Sequence, residues 1–433
     1  YAPALVLSVI LGWNIQLTVT LLGVLAVVYT ASGGSKAVSH TQALQFCIIL
    51  ATMGLAAGLV LRGLPHGVSI ADASFLAGAL GRLHALETRF DPNDRYTLWS
   101  GLIGGFFLQM SYFGTDQSQV GRYLTGRSLT QSRLGLLFNG LVKVPMQLAI
   151  LSLGVLVFVA SLFGAPPLHF DPATRARLAS GSGAMEWSAL ERRHEIAVAS
   201  RRRDVDAALA ARHGGEPAAL RSATAALQHD QVAMDGIKKE SAELIARAAP
   251  GAPTSDTNYI FLRVVLAALP VGVIGLVFAA VFAASMNASS AELNALASTT
   301  VVDVWKRLGG RDATAAHELW FSRLVTVGWA AFAVAFATVA SRLGSLIEAV
   351  NLLGSLFYGT ILGIFMTAFF IQRAGGTAVF VAALVAETAV LACFRFTGIS
   401  FLWYNLIGCA LVTILSLALS VVWPARAGRV GAG

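Results

Sequence analysis

Long runs of apolar residues, separated by short polar stretches, occupy most of the chain. Because a helix needs about 20 residues to cross a bilayer, we predict membrane-spanning helices at nine runs. They lie at about 7–30, 42–62, 98–120, 134–163, 259–298, 320–340, 344–371, 377–394 and 401–423. The runs are continuous and do not alternate with polar residues, which favours helices over a β-barrel. The pattern therefore predicts an all-α polytopic membrane protein.

The composition supports this prediction. Of 433 residues, 56% are hydrophobic and 12% are charged, whereas a soluble domain carries about 25% charged residues. The sequence pI is 9.7, but the basic residues lie at helix ends and in one loop rather than on a continuous face, so we expect no nucleic-acid partner. Neither a phosphate-binding glycine loop nor metal-ligand spacing of histidines or cysteines occurs, so we expect neither an enzyme nor a cofactor.

One stretch breaks the apolar pattern and sets the expected domain layout. Residues 165–256 contain 12 basic and 12 acidic residues with abundant alanine, a mixture typical of solvated helices such as a hairpin. We expect a charged insertion, with a dedicated binding module as the alternative. The flanking parts are then membrane segments 1–164 and 257–371, followed by peripheral helices and a tail at 372–433.

The short loops predict an orientation. Basic residues concentrate in alternate loops, which the positive-inside rule places in the cytoplasm. They are Lys36, Arg122, Arg127, Arg133, Lys306, Arg307, Arg311, Arg373, Arg426 and Arg429. The insertion then lies outside the cytoplasm, and its length exempts it from the charge rule.

Polar residues within apolar runs are costly in lipid and mark candidate sites. Gln109 and Tyr112 follow a pair of glycines in the run 98–120, which predicts an interrupted helix lining a binding site; close helix packing through the glycines is the alternative. Lys143 lies one residue before Val144-Pro145 in the next run, where a lysine must pair, face a wet cavity or reach the interface.

Two further clusters are weaker. Ala284, Asn287 and nearby small residues share one helical face, which suits either close packing or oxygen ligation of a hard cation. Glu348 and Asn351 lie three residues apart near one end of the run 344–371, where Glu348 fits a boundary carboxylate and a cavity role equally well.

Four segments together resemble the solute:sodium symporter family, which includes sodium/glucose and sodium/proline transporters. They are Tyr29–Val38, Tyr112–Leu124, Phe282–Arg307 and Glu348–Phe370, and the third, with Leu293-Asn294-Ala295-Leu296-Ala297-Ser298 and Asp303-Val304-Trp305-Lys306-Arg307, is the most specific.

The resemblance implies a five-plus-five inverted-repeat fold with two peripheral C-terminal helices. On that pattern residues 7–30 correspond to the fourth core helix, so we expect the first three to precede Tyr1. It also implies an integral multi-pass protein in a lipid bilayer, and we expect the bacterial inner membrane.

The resemblance further implies sodium:solute symport by alternating access. In sugar-transporting members, a polar residue, an aromatic gate and a lysine match Gln109, Tyr112 and Lys143, and tenth-helix positions match Glu348 and Asn351. The solute is expected to be small, polar and organic.

The family's sodium positions on the eighth core helix match Ala284, Asn287 and Ala288, with Ser290 as a nearby substitute for a hydroxyl ligand. Relatives usually carry two hydroxyl residues where this chain has Asn287 and Ala288. Proton coupling or exchange is therefore one alternative, and a transport-dead membrane receptor or scaffold is another. No metal other than sodium is expected.

Overall fold

The protein is α-helical over nearly all of the residues that the structure describes. The structure is a computed structural model that describes residues 1–32, 35–84, 87–124, 126, 128–268, 270–309, 314–340 and 346–425. Within them, helices α1 to α17 are Ala2–Leu11, Ile15–Ser32, Ser35–Arg62, Ile70–Ala79, Gly105–Thr115, Gln117–Leu124, Leu129–Leu162, Pro172–Ser180, Ala184–Gly214, Pro217–Ala248, Thr257–Ala268, Val271–Thr299, Lys306–Leu308, Ala315–Ala340, Leu346–Phe370, Gly376–Phe396 and Phe401–Leu419. Short π-helical segments at Ser100–Gly104 and Thr300–Trp305 lead into α5 and α13.

Seven stretches of the described chain are long and apolar enough to cross a membrane. They are Gln45–Arg62, Leu129–Leu162, Val271–Leu308, Ala315–Thr338, Glu348–Phe370, Gly376–Phe396 and Phe401–Leu419. The prediction of an all-α, multi-pass membrane protein is confirmed.

The predicted orientation stays a prediction. Arg127, Arg311, Arg426 and Arg429, on which it partly rests, lie outside the described residues, as do the side chains of Lys36 and Arg122.

The prediction of one helix over 7–30 is wrong, because the chain there forms two helices. α1 ends at Gly12, whose φ of 68° is left-handed and easiest for glycine. Asn14 then starts α2, since its side-chain oxygen accepts a hydrogen bond from the Gln16 amide at 2.8 Å.

The run 259–298, which we predicted as one helix, also forms two. α11 ends at Ala268, and Pro270 precedes the first turn of α12. A proline cannot donate a backbone hydrogen bond, so it is well tolerated at a helix start and poorly tolerated in a helix interior.

The insertion forms the helical hairpin that its composition suggested. Helices α9 and α10 pack against each other, and the chain turns between them at Gly215, whose φ is 68°. Trp187 is 1% exposed and packs with Leu190 of α9 and with Leu244 and Ile245 of α10.

Contacts divide the chain into two compact units. The first unit comprises residues 1–84 and 138–345, and the second comprises 85–137 and 346–433. The boundaries of these units differ from those of the domain layout predicted from the sequence. That layout describes membrane topology, and it stays a prediction.

In the first unit, α12 packs against α2, α3 and α14. The tip of the hairpin rests on α4 and on the end of α7 through Leu76, Val159, Val205 and Leu227. Helix α4 lies between the predicted membrane runs, and Ser69 and Asp72 form a capping box at its start.

In the second unit, α15 packs against α5, α16 and α17. Glycines let α15 and α17 approach closely: a methyl group added at Gly359 would lie 2.6 Å from the Asn405 carbonyl oxygen. Small residues at such contacts are the usual means of packing helices in lipid.

Candidate functional site

A helix interruption lies in the second unit at Asp116. α5 ends at Thr115, Asp116 takes an extended conformation with ψ of 119°, and α6 begins at Gln117. The Asp116 carboxylate accepts hydrogen bonds from the Ser118 amide at 2.8 Å and from its hydroxyl at 2.7 Å. The predicted interruption of this span is confirmed, and a carboxylate at the start of α6 is favourable for a helix N-terminus.

The break is located at a different residue from the glycines that suggested it. A methyl group added at Gly104 would lie 2.7 Å from the Leu402 carbonyl oxygen, so Gly104 serves close packing of the preceding π-helical segment against α17. Gly105 and Gly114 have open space where a side chain would be. The span is therefore interrupted, at Asp116, and it also packs closely through a glycine, at Gly104.

Two hydrogen bonds join the interruption to α15. The Ser111 hydroxyl donates to the Tyr358 carbonyl oxygen at 2.8 Å, and the Tyr358 hydroxyl donates to Asp116 Oδ2 at 3.4 Å. The sequence reading missed Tyr358. Its hydroxyl within an apolar run was the only available signal, since nothing local links it to a residue 242 positions away.

Gln109 and Tyr112 lie three residues apart on α5, so they share one side of the helix. Gln109 is exposed and Tyr112 is half-buried. The Tyr112 ring packs edge-on against Phe113 with centroids 5.1 Å apart. Ser111, which faces α15, lies on a different side of α5 from Gln109, so the helix separates a packed side from an accessible polar side.

Glu348 and Asn351 lie in the first two turns of α15. The Glu348 carboxylate pairs with Arg95 at 3.1 Å and accepts a hydrogen bond from the Tyr96 hydroxyl. That hydrogen bond raises the pKa of Tyr96. These contacts to a loop fit the boundary alternative for Glu348. Asn351 is exposed, seven residues before Tyr358 and on the same side of α15.

Lys143 lies on α7 in the first unit and its side chain is exposed. Pro145, two residues later, lies inside the helix, where it removes one backbone hydrogen bond and favours a kink. Gln109, Tyr112, Glu348 and Asn351 belong to the second unit, whereas Lys143 belongs to the first. Their convergence on one site stays a prediction.

The four sodium candidates lie on α12 in the first unit. Asn287 is 4% exposed, and its side-chain nitrogen donates to Gln45 Oε1 on α3 at 2.5 Å. Ser290 is 2% exposed, whereas Ala288 is exposed and Ala284 is half-buried. Residues three or four apart on a helix are neighbours, so Asn287 lies beside both Ala284 and Ser290 on the buried side of α12. Ala288 and Ser290 are two apart and do not face each other.

Only Asn287 and Ser290 of these four offer side-chain oxygens, the ligands that hard cations prefer. Ala284 and Ala288 carry backbone carbonyls alone, which an α-helix uses in its own hydrogen bonds. Gln45 is a polar neighbour of this group that the sequence reading missed.

A model of the Sodium:solute symporter family matches residues 1–180 and 236–386, which is most of the chain. This chain belongs to the sodium:solute symporter family. Two stretches lie outside the match: residues 181–235, within the α9–α10 hairpin and its approach, and residues 387–433 at the C-terminal end.

Relatives match over part of their length. The human sodium/iodide cotransporter is 35% identical over 163 residues, which are 37% of this chain and 24% of the relative. The rabbit sodium-dependent multivitamin transporter is 32% identical over 157 residues, 36% of this chain and 24% of the relative. A sodium/sialic acid symporter of Aliivibrio fischeri is 30% identical over 162 residues, 37% of this chain and 32% of the relative. The matched part thus spans about a quarter to a third of these proteins.

The solved structure of a substrate-bound, outward-open Na⁺-coupled sialic acid symporter has the same fold. The TM-score is 0.65 at 18% identity, and the match covers 98% of this chain and 71% of that one. The family member described here therefore has the inverted-repeat transporter fold that its sequence resemblance implied.

Proposed function

We propose that this chain performs sodium-coupled symport of a small polar organic solute by alternating access. The observation that carries the proposal is the family match, because all nine candidate residues fall inside its matched ranges, 1–180 and 236–386. The relatives are named for sodium-coupled movement of iodide, vitamins and sialic acid. Their shared property is the coupling ion, while their cargoes differ.

For the solute, we assign direct roles to Gln109, Tyr112 and Asn351. The exposed amides of Gln109 and Asn351 can donate to and accept from hydroxyl, amide or carboxyl groups. Tyr112 supplies an aromatic face beside Gln109 and acts as the gate. Glu348 and Lys143 are assigned supporting roles: Glu348 through its contacts with Arg95 and Tyr96, and Lys143 as a counter-charge on α7.

For sodium, we assign oxygen ligation to Asn287 on α12, with Ser290, three residues further along the same buried side, as a second oxygen. Burial of Asn287 supports this assignment, since a buried polar group in lipid is retained only where it has partners. Ala284 and Ala288 leave space for a neighbouring backbone and contribute no side-chain oxygen.

A second candidate is proton coupling or exchange on the same fold. It is favoured by one observation: Ala288 has no side-chain oxygen, and the Asn287 amide is already hydrogen-bonded to Gln45. We place both candidates in a membrane. Because one relative is bacterial, we infer the bacterial inner membrane for this chain.

The test is accumulation in proteoliposomes that hold the full-length protein containing this chain. Iodide, a monocarboxylate, a vitamin and sialic acid form the first panel of solutes. We expect one of them to accumulate when an inward sodium gradient is imposed and to equilibrate when potassium replaces sodium. Accumulation driven by a proton gradient alone would establish the second candidate instead.

The solute site is tested by single alanine variants at Gln109, Tyr112 and Asn351. Each is expected to raise the solute concentration for half-maximal uptake about tenfold, as loss of one buried or charge-assisted contact does. Gln16→Ala is the matched control, an exposed glutamine near the start of α2. Unchanged uptake in all three variants would contradict the assigned site.

A further inference from the structure

A cavity of about 1000 Å³ lies in the first unit between the C-terminal end of α7 and the α9–α10 hairpin. This volume lies at the upper end of the range for small-molecule sites, about 300–1,000 Å³. The candidate residues for sodium and solute are absent from its described lining. It is therefore a separate feature of the molecule.

One wall of the cavity is apolar and lies where α7 reaches the membrane surface. Its residues include Val60, Leu151, Val155, Phe158 and Ile260. α7 has 34 residues and is therefore about 50 Å long at helical rise, whereas the hydrocarbon layer is about 30 Å thick. Part of α7 therefore extends beyond the hydrocarbon layer. Residues 151–161, which line the cavity in the last turns of this helix, are where we place the boundary between lipid tails and headgroups.

The rest of the lining is strongly basic. Five cationic side chains line the cavity, and Asp235 is the one carboxylate among the described lining residues. The cations are Arg82, Arg175, Arg201, Lys238 and Arg263. Like charges gathered in one concave site repel one another unless an anion lies among them.

Arg201 shows that this charge is built into the fold. It is 3% exposed, and it occupies a position in the buried stripe of α9 that Val198 and Val205 continue with apolar side chains. Its guanidinium donates only long hydrogen bonds to neutral oxygens, at 3.5 Å to Gln231 and 3.4 Å to the Ser161 carbonyl. Its Nε has no partner among the described residues.

The carboxylates of Asp230 and Asp235 lie near enough to favour the charged form of Arg201, but neither forms a salt bridge with it among the described residues. A buried cation without a direct anionic partner is costly, so an anionic ligand in the cavity would stabilise it.

His194 adds a second buried polar atom to the same lining. Its Nε2 lies 3.0 Å from the Pro166 carbonyl oxygen, while its Nδ1 is buried without a partner among the described residues. Burial lowers the pKa of His194, so the ring is neutral at pH 7, where Nε2–H donates to the carbonyl and Nδ1 can accept a hydrogen bond.

We propose that this cavity binds an anionic phospholipid, with the phosphate group among the basic side chains and an acyl chain along the apolar wall. Arginines match phosphate oxygens with paired N–H donors, and basic pockets at the ends of membrane helices are suited to anionic headgroups. A free anion would use the basic residues and leave the apolar wall at the lipid boundary unoccupied. The combination of both walls is what selects a lipid.

The test uses the purified full-length protein in detergent, titrated with phosphatidylglycerol or phosphatidylcholine and read by native mass spectrometry. We expect phosphatidylglycerol to bind more tightly than phosphatidylcholine. Arg201→Gln and Lys238→Gln are each expected to weaken phosphatidylglycerol about fivefold, the effect of one basic side chain near an anionic lipid. Arg203→Gln is the matched control: it removes the same charge from α9 at an exposed position that does not line the cavity.

Lys238 is exposed and should tolerate substitution, so Lys238→Gln decides the matter if Arg201→Gln fails to fold. Equal affinity for the two lipids would overturn the proposal, as would equal losses in Arg203→Gln and the two lining variants.

A titration with inorganic phosphate is the third part of the experiment. If phosphate alone binds as tightly as phosphatidylglycerol and loses affinity in Arg201→Gln, the site belongs to a free anion and the lipid assignment fails. Transport is not measured, so this result is independent of the proposed function.

Discussion

The α9–α10 hairpin and the α15–α17 pair are both pairs of packed helices, but different forces hold them. In the hairpin, large side chains such as Trp187 and Ile245 interdigitate, and an ion pair between Arg193 and Glu240 joins the outer surfaces at 2.6 Å. In α15–α17, glycines bring the backbones together. A neutral hydrogen bond from the Asn405 amide to the Ser355 hydroxyl, 2.9 Å long, replaces the ion pair.

The difference follows from the surrounding solvent. Water drives large apolar side chains together, and it solvates the charged groups at the edge of the contact. Lipid tails provide no such drive, so membrane helices gain stability from close van der Waals contact and from internal hydrogen bonds. Substitutions that remove side-chain volume should therefore destabilise the hairpin most. Substitutions that add volume should destabilise α15–α17 most.

The largest effect is expected from Trp187→Ala in the hairpin. Removing a large buried aromatic side chain typically costs about 3–5 kcal/mol, and Trp187 is 1% exposed. Limited trypsin digestion of the full protein should then cleave rapidly at Arg201, Arg202 and Arg203. Met185→Ala, at a position 85% exposed on the same helix, is the control. Wild-type resistance in Trp187→Ala would show that the hairpin is held in some other way.

The next largest effect is expected from Gly359→Ala in α15. The added methyl group would lie 2.6 Å from the Asn405 carbonyl oxygen, and such overpacking typically costs about 1–3 kcal/mol. The midpoint of thermal unfolding in detergent should fall. Gly54→Ala on α3 is the control, because nothing lies within 4 Å of the added group. Equal midpoints for the two variants would contradict packing by glycine contact.

A smaller effect is expected where the hairpin tip is tied to α4. The Asp72 carboxylate lies 3.2 Å from Arg212 Nε and 3.1 Å from His213 Nε2. Asp72→Asn should weaken this tie by about 1–2 kcal/mol, as loss of a partly exposed charged hydrogen bond does. Faster amide exchange at residues 205–220 would report it, and Asp206→Asn, at an exposed carboxylate of the same hairpin, is the control.

The strength of the contact between Asp72 and the hairpin tip should also depend on pH. A hydrogen bond from the Ser69 hydroxyl is the main reason why the pKa of Asp72 is lowered, with smaller contributions from the Ser69 amide and His213. Because the folded pKa is depressed, the tie is complete above the usual aspartate pKa of about 3.9 and is lost as pH falls through the lowered value. Equal protection of residues 205–220 at pH 2 and pH 6, after correction for the intrinsic pH dependence of amide exchange, would contradict this.

The smallest effect is expected from Arg193→Ala on the outer surface of the hairpin. The pair with Glu240 has good geometry, with contacts of 2.6 Å and 3.0 Å, but both side chains are about half exposed. Water and salt screen such pairs. Trypsin resistance should therefore change no more than in Arg192→Ala, its exposed neighbour. A clearly larger loss of trypsin resistance in Arg193→Ala would mean that this surface ion pair contributes substantially to the stability of the hairpin.

The sequence predicted the membrane helices and the charged hairpin, because each depends on composition over many residues. It also predicted an interruption in the run 98–120, but from glycines at which the helix does not break. It did not predict the break between α1 and α2, where a single glycine conformation and one asparagine cap decide the path. A membrane helix is predicted from the mean hydropathy of a long run, and one glycine and one asparagine change that mean very little.

The candidate site was predictable only in part, for a related reason. Gln109, Tyr112 and Asn287 are conspicuous as polar residues in apolar runs. Gln45 and Tyr358 gain their importance from partners 242 positions away, at Asn287 and Asp116. No local pattern contains that information. Similarly, the opposite directions of Ala288 and Ser290 on α12 follow from helix geometry once the bounds of α12 are known.

The central claim is that solute and sodium move together. The most direct measurement follows radiolabelled sodium and the transported solute in the same proteoliposomes, with the full-length protein and no imposed proton gradient. The account predicts that sodium entry rises in a fixed ratio when solute is added, and that solute entry stops when sodium is removed. Solute entry without any accompanying sodium entry would contradict it.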